Sequence, residues 1–136
     1  PTAYTAPATY VAFVIIPAAR WVVQEGLYGN SERRTQNFDQ IVPAPGEAMS
    51  DTWQIIEVAR RLGFQKQFPW SEDEYIGKIW EEYRRFHDNP KHNMAPYKVL
   101  QARSGVQWPF VHGKETRWRF HPKHDTGCKK GQAFDF

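Results

Sequence analysis

The sequence predicts an α/β chain in which one buried strand and a long polar loop precede a helical, loop-rich surface region. Three observations carry this. Residues 10–16 (YVAFVII) form an uninterrupted apolar run, rich in β-branched side chains and closed by Pro17. That is the pattern of a strand covered on both faces, as in parallel sheets. Residues 25–53 follow no period but carry Gly26, Gly29, Asn30, Pro43 and Pro45, the residues of turns and extended connections. Beyond them, helix-start signatures stand at Ser50-Asp51 and at Ser71-Glu72-Asp73-Glu74.

In chain order, residues 1–8 are a Pro/Ala/Thr lead-in without periodicity. The strand at residues 10–16 has no second strand of its kind in the chain, so its sheet neighbours are expected to come from elsewhere. Gly26, Gly29 and Asn30 permit tight turns. Residues 35–42 read as a short strand with Phe38, Ile41 and Val42 apolar, after which Pro43 and Pro45 hold the chain extended. A first helix is expected from Ser50 or Asp51 to Leu62, stopped by Gly63. Trp53, Ile56 and Ala59 share one face of it, flanked by Ile55 and Leu62, and Arg60 and Arg61 suit its last turn. A second helix runs from the capping box at Ser71 to about His87, before Asn89-Pro90. Its stripe is Tyr75, Ile79, Tyr83 and Phe86, widened by Ile76 and Trp80. A third, short helix fits residues 95–102 with Pro96 in its first turn. A turn at Gly113 and a strand over residues 116–120 complete the series. The expected division is 1–48, 49–104 and 105–136, with no part forming an independent fold.

Composition narrows the function. The chain is 40% hydrophobic and 24% charged, ordinary for a globular protein, but 15% aromatic with six Trp. Eighteen Lys and Arg against fifteen Asp and Glu give a net charge of +3, too small a footprint for a nucleic-acid-binding protein. No apolar run approaches the ~18 residues of a membrane span. The lone Cys128 excludes an internal disulfide and by itself assembles no iron–sulfur cluster.

Several groups of residues could carry chemistry. Glu32-Arg33-Arg34 follows the apolar run, where an arginine fork could meet a phosphate at the carboxyl edge of a sheet. The alternative is an internal ion pair of Glu32 with one arginine that pins the loop. His121, His124 and Cys128 offer three zinc ligand types, but His112 or Asp125 would have to complete the set. His87 and His92 stand at a helix end, where histidines are usually solvated. Lys114-Glu115-Thr116-Arg117-Trp118-Arg119-Phe120 alternates cationic and aromatic residues, and this also describes an amphipathic strand. No Ser-His-Asp set, glycine-rich phosphate loop or paired-carboxylate site stands out, and no catalytic residue and no metal ligand is assigned.

The pattern EG-x-YGN-x-ERRTQ, followed by APGEA-x-SD-x-W, resembles a segment of periplasmic nitrate reductase catalytic subunits, members of the molybdopterin oxidoreductase superfamily. IIPAARWV upstream and WPFVHGKETRWRF downstream continue the likeness. It covers most of the chain but only a small part of such a subunit. The resemblance implies the end of a Rossmann-like middle domain, with Glu25, Gly26, Asn30, Glu32 and Arg33 shaping the cofactor cavity. It further implies a whole enzyme that reduces nitrate to nitrite in the periplasm. That enzyme would hold molybdenum in two molybdopterin guanine dinucleotides and carry one [4Fe-4S] cluster. Its partners would be the rest of the large subunit and a small di-haem cytochrome. The cysteines that hold these groups are absent from this chain, and Cys128 matches neither pattern. Relatives often carry Ala-Asp where this chain has Ala12-Phe13, so the Asp contact to a guanine dinucleotide does not carry over. Val23 likewise stands where a charged residue is usual. Formate dehydrogenases of the same superfamily share the Asn-x-Glu-Arg-Arg core and the Gln-Trp-Pro element. A small basic-aromatic binding module is the alternative outside enzymes.

Overall fold

A computed structural model describes residues 5–86 and 93–115 as a small mixed α/β arrangement of three helices and two small sheets. The helices are α1 (Asp51–Ala59), α2 (Tyr75–Arg85) and α3 (Tyr97–Arg103). The strands are β1 (Gly26–Gly29), β2 (Arg34–Phe38), β3 (Val106–Gln107), β4 (Phe110–Val111) and β5 (Lys114–Glu115). One sheet has the order β1-β2-β3 and the other pairs β4 with β5. The chain divides into two compact units, Pro1–Gly26 with Phe38–Ile79, and Leu27–Asn37 with Trp80–Phe136.

The expected buried strand over residues 10–16 is not formed. Pro7–Tyr10 is a 3-10 turn and the apolar side chains after it stand in the open. A segment apolar on both faces is stable as a strand only between two paired neighbours and beneath two covering layers, and no described strand flanks it. Among the described residues, the parallel pairing near it is an isolated bridge, Ala18 with Met49.

Around that bridge the first unit is organised. Ala19 N–H donates to Met49 O at 2.9 Å, and the Gln54 amide donates to Pro17 O and Met49 O at 2.8 and 2.9 Å. Gln54 is buried on α1 although it is polar: its Nε2 serves Pro17 O and shares Met49 O with Ala19 N–H, while its buried Oε1 has no hydrogen-bond partner among the described residues. Ser50 caps α1, its Oγ accepting from Trp53 N–H at 3.1 Å. Ile56 is buried as expected, but Ile55 and Leu62 are exposed, so the apolar face is narrower than the sequence indicated. The helix ends through a wider turn, Arg60–Phe64, and Gly63, at φ 99° and outside helical geometry, breaks it where expected. Arg60 is more than a helix-end cation. Its guanidinium donates to Phe68 O at 2.8–2.9 Å, to Trp70 O, and to Glu57 Oε1 at 2.9 Å, and lies 5.5 Å from the Tyr75 ring centre.

The Ser71 capping box forms as its sequence indicates, with Ser71 N–H and Oγ each 3.0 Å from a Glu74 carboxylate oxygen. On α2 the buried residues are Tyr75 and Trp80, while Ile79 and Tyr83, and Phe86 just after the helix, are exposed. The residues taken to widen the stripe thus include its buried centre.

In the second unit Trp80, Ala95, Leu100 and Val106 form the core, with Leu27, Met94, Tyr97, Val99 and Phe110 against it. Trp80 Nε1 donates to Ala95 O at 2.9 Å, which gives the indole its needed acceptor. The Glu81 carboxylate accepts from Tyr97 N–H at 2.7 Å and so satisfies an open amide at the start of α3. Pro96 precedes that helix and Ser104, with φ 58°, ends it in the left-handed region. β3 then pairs antiparallel with β2, Arg34 opposite Gln107 and Thr35 opposite Val106. The Gly113 turn falls where expected, joining β4 to β5. His112 and Gly113 both take positive φ (50° and 76°), as a two-residue hairpin turn requires. The expected strand over residues 116–120 lies outside the described residues.

Candidate functional site

The candidate residues divide between the two units. Glu25 and Gly26 belong to the first. Partial burial, followed by the charges of Asp39 and Asp73, pushes the Glu25 carboxyl above the ordinary carboxylate range. Gly26 packs close to Phe38: a Cβ there would stand 2.6 Å from Phe38 Cζ, so the ring would have to shift to admit it.

Asn30, Glu32 and Arg33 belong to the second unit and build the turn between β1 and β2. Asn30 Oδ1 accepts from Glu32 N–H at 3.1 Å and Arg34 N–H at 3.0 Å, while Asn30 O accepts from Arg33 N–H at 3.0 Å. Three successive amides are thereby turned inward on one asparagine. A phosphate cradle needs such amides directed outward, so the geometry fits a rigid loop that shapes its surroundings better than a direct anion clamp. Arg33 takes φ 61°, a conformation uncommon for a side chain larger than glycine, and its guanidinium is buried.

The tertiary structure joins this turn to a segment about seventy residues later. Arg33 Nη1 donates to Trp108 O at 2.6 Å, and Trp108 N–H donates back to Arg33 O at 2.9 Å. Arg33 Cζ also lies 5.9 Å from the Trp108 ring centre. Gln107, buried, donates from Nε2 to Glu32 O at 3.2 Å, and its backbone N–H donates to Glu115 Oε2 at 3.2 Å. The expected ion pair within the cluster is present but uses Arg34 rather than Arg33. Arg34 Nε lies 3.4 Å from Glu32 Oε2, and Arg34 Nη1 lies 3.9 Å from Glu115 Oε2. Side-chain order along the strand explains the choice: Arg33 turns inward at the positive-φ residue, and Arg34, next along, reaches the partly exposed carboxylates.

Gln107, Trp108 and Glu115 were not assigned a role from the residues alone. Only the resemblance, through Gln-Trp-Pro and WPFVHGKETRWRF, pointed to them, because pairing across so long a separation leaves no local signal. Among the described residues no group of three or more His, Cys, Asp or Glu is placed to hold a metal ion. His112 lies in a hairpin turn, while His87, His92, His121, His124, Asp125 and Cys128 lie outside the described residues, as does most of the cationic-aromatic alternation after Glu115. No described helix is long and apolar enough to cross a membrane.

Residues 6–61 match the family model described as Molybdopterin oxidoreductase, a span that includes β1, the Asn30–Arg33 turn, β2 and α1. This match supports the molybdopterin oxidoreductase superfamily, and with it a part of an oxidoreductase that uses a molybdenum–pterin cofactor.

Proposed function

We propose that the chain is a scaffold segment of a molybdenum-dependent nitrate reductase catalytic subunit of the periplasmic type. In that setting it completes the end of a Rossmann-like middle domain, and Glu25, Gly26, Asn30, Glu32 and Arg33 shape the cofactor cavity. The observation that supports this is the internally braced turn of Asn30 and Arg33 within the residues that match the superfamily. A loop committed to its own hydrogen bonds can hold a wall in place without touching the reacting atoms. The bound molybdenum, in two molybdopterin guanine dinucleotides, would supply the oxygen-atom chemistry that converts nitrate to nitrite. Electrons would arrive through a [4Fe-4S] cluster from a small di-haem cytochrome. This chain's own residues brace and exclude solvent, and none is assigned a proton or a ligand bond.

The YGN and APGEA-x-SD neighbourhoods favour nitrate over formate as the substrate. Molybdenum and iron content of the full-length protein, with parallel nitrate-reduction and formate-oxidation assays, tests the proposal. Molybdenum with nitrate reduction is the expected result. Molybdenum with formate oxidation would move the reading to a formate dehydrogenase, and absence of molybdenum would end it.

A further inference from the structure

We infer that Glu115 is a positioning residue: through Gln107 and Arg34 its carboxylate sets the Asn30–Arg34 turn, and so the cavity wall that the proposed function assigns to that turn. The inference rests on that reading and adds to it a residue well beyond the family match, which ends at residue 61.

The turn leaves the backbone ladder between β2 and β3 one bond short. In alternate pairs of an antiparallel ladder, the two facing residues exchange two N–H···O bonds. Trp108 N–H makes one of them, to Arg33 O at 2.9 Å. Arg33 cannot return it from its backbone, because its own N–H is turned to Asn30 O at 3.0 Å. Its guanidinium supplies the second bond instead, to Trp108 O at 2.6 Å. The pair therefore closes on a side chain, and its geometry depends on how the turn is held.

Glu115 holds it from the other sheet. By the same alternation Gln107 points its N–H away from β2, and β3 is the edge of its sheet. Glu115, on β5 opposite Phe110, accepts that N–H on Oε2 at 3.2 Å. The Gln107 side chain then reaches back to Glu32 O at 3.2 Å, inside the turn. The same Oε2 stands 3.9 Å from Arg34 Nη1, while Arg34 also meets Glu32 Oε2 and Gly105 O, each at 3.4 Å. A Cβ on Gly105 would stand 3.2 Å from Arg34 Cδ, so glycine there lets the arginine lie close against β3. Glu115 thus reaches both flanks of the turn, Glu32 by way of Gln107 and Arg34 directly. The bond from the amide to the carboxylate is charge-assisted and is the stronger link; the partly exposed ion pair adds little by itself.

Hydrogen exchange read by mass spectrometry on the full-length, cofactor-loaded protein tests the role, together with the molybdenum EPR signal of the same samples. Glu115→Ala should speed exchange roughly tenfold in peptides covering residues 30–34 and 105–108, with molybdenum retained and its EPR signal displaced. Glu115→Gln keeps an acceptor oxygen at the same reach and should recover most of the protection. Lys114→Ala, its neighbour on β5, should change neither readout. Exchange in Glu115→Ala equal to wild type overturns the inference, and so does a rise spread evenly over the protein, which marks general loosening. Faster exchange with the EPR signal of the loaded fraction unmoved also overturns it, since Glu115 would then be structural only. A wild-type protein that holds no molybdenum is a separate outcome, which ends the cofactor reading itself and the inference with it.

Discussion

Arg33 and Trp108 are joined in both directions: the arginine side chain donates to the tryptophan carbonyl at 2.6 Å, and the tryptophan amide donates to the arginine carbonyl at 2.9 Å. Each residue thus fixes the other's backbone. The indole face beside the guanidinium then makes the site a poor fit for any other cation.

Replacing Arg33 by Met keeps much of the side-chain volume but leaves the Trp108 carbonyl without that donor. A buried hydrogen bond to a charged group contributes about 2 kcal/mol, so local opening of the β2–β3 pair should become roughly thirtyfold more frequent. Native-state hydrogen exchange at the β2 and β3 amides measures this. Unchanged protection there would show that the pair contributes nothing to the loop.

Gly26→Ala drives a methyl into the Phe38 ring and should destabilise the protein by about 1–3 kcal/mol. Adding Phe38→Leu shortens the obstructing side chain. The double variant should regain part of the loss, and melting temperatures of the four proteins give the coupling.

Glu25 has a folded-state pKa above its ordinary value of 4.5, owing to burial first and then to Asp39 and Asp73. Its contribution to stability is therefore fully present below pH 4.5 and is lost as pH rises through the higher folded value. Glu25→Gln should then raise the melting temperature slightly at pH 7 and leave it unchanged near pH 4. The gain stays below about 0.5 kcal/mol because water still reaches the carboxylate and screens it. A destabilising Gln at neutral pH would show that the charge is used rather than tolerated.

Glu74 is the opposite case. Hydrogen bonds from the Ser71 backbone and side chain hold its carboxyl below 4.5, so its help to the start of α2 is present above that value and fades as pH falls through the lowered one. Ser71→Ala should bring the Glu74 titration, followed by carboxylate NMR, back up towards the ordinary range. Loss of the cap itself should cost about 1 kcal/mol.

Local chemistry was legible where one short segment contains all its own partners. The Ser50 and Ser71 caps, the start of α3 after Pro96 and the turn at Gly113 follow from residues a few positions apart. The apolar faces were less legible, because periodicity identifies which residues share a side but not which neighbour covers it. Ile55, Leu62 and Phe86 fit the period and stand exposed, while polar Gln54 is buried because two carbonyls face it.

The candidate loop shows the same boundary. By itself the sequence determined that residues 25–53 are a turn-rich, resemblance-bearing stretch and that Glu32 would meet an arginine. Tertiary structure alone decided that the partner is Arg34, that Arg33 is buried against Trp108, and that Gln107 and Glu115 complete the brace. It also decided that residues 10–16, strand-like in every local respect, join no strand among the described residues. The reason is common to both. Backbone propensity and capping act within a few residues, whereas a hydrogen-bond partner or a covering layer must come from distant chain, and only the folded arrangement supplies it or leaves it out.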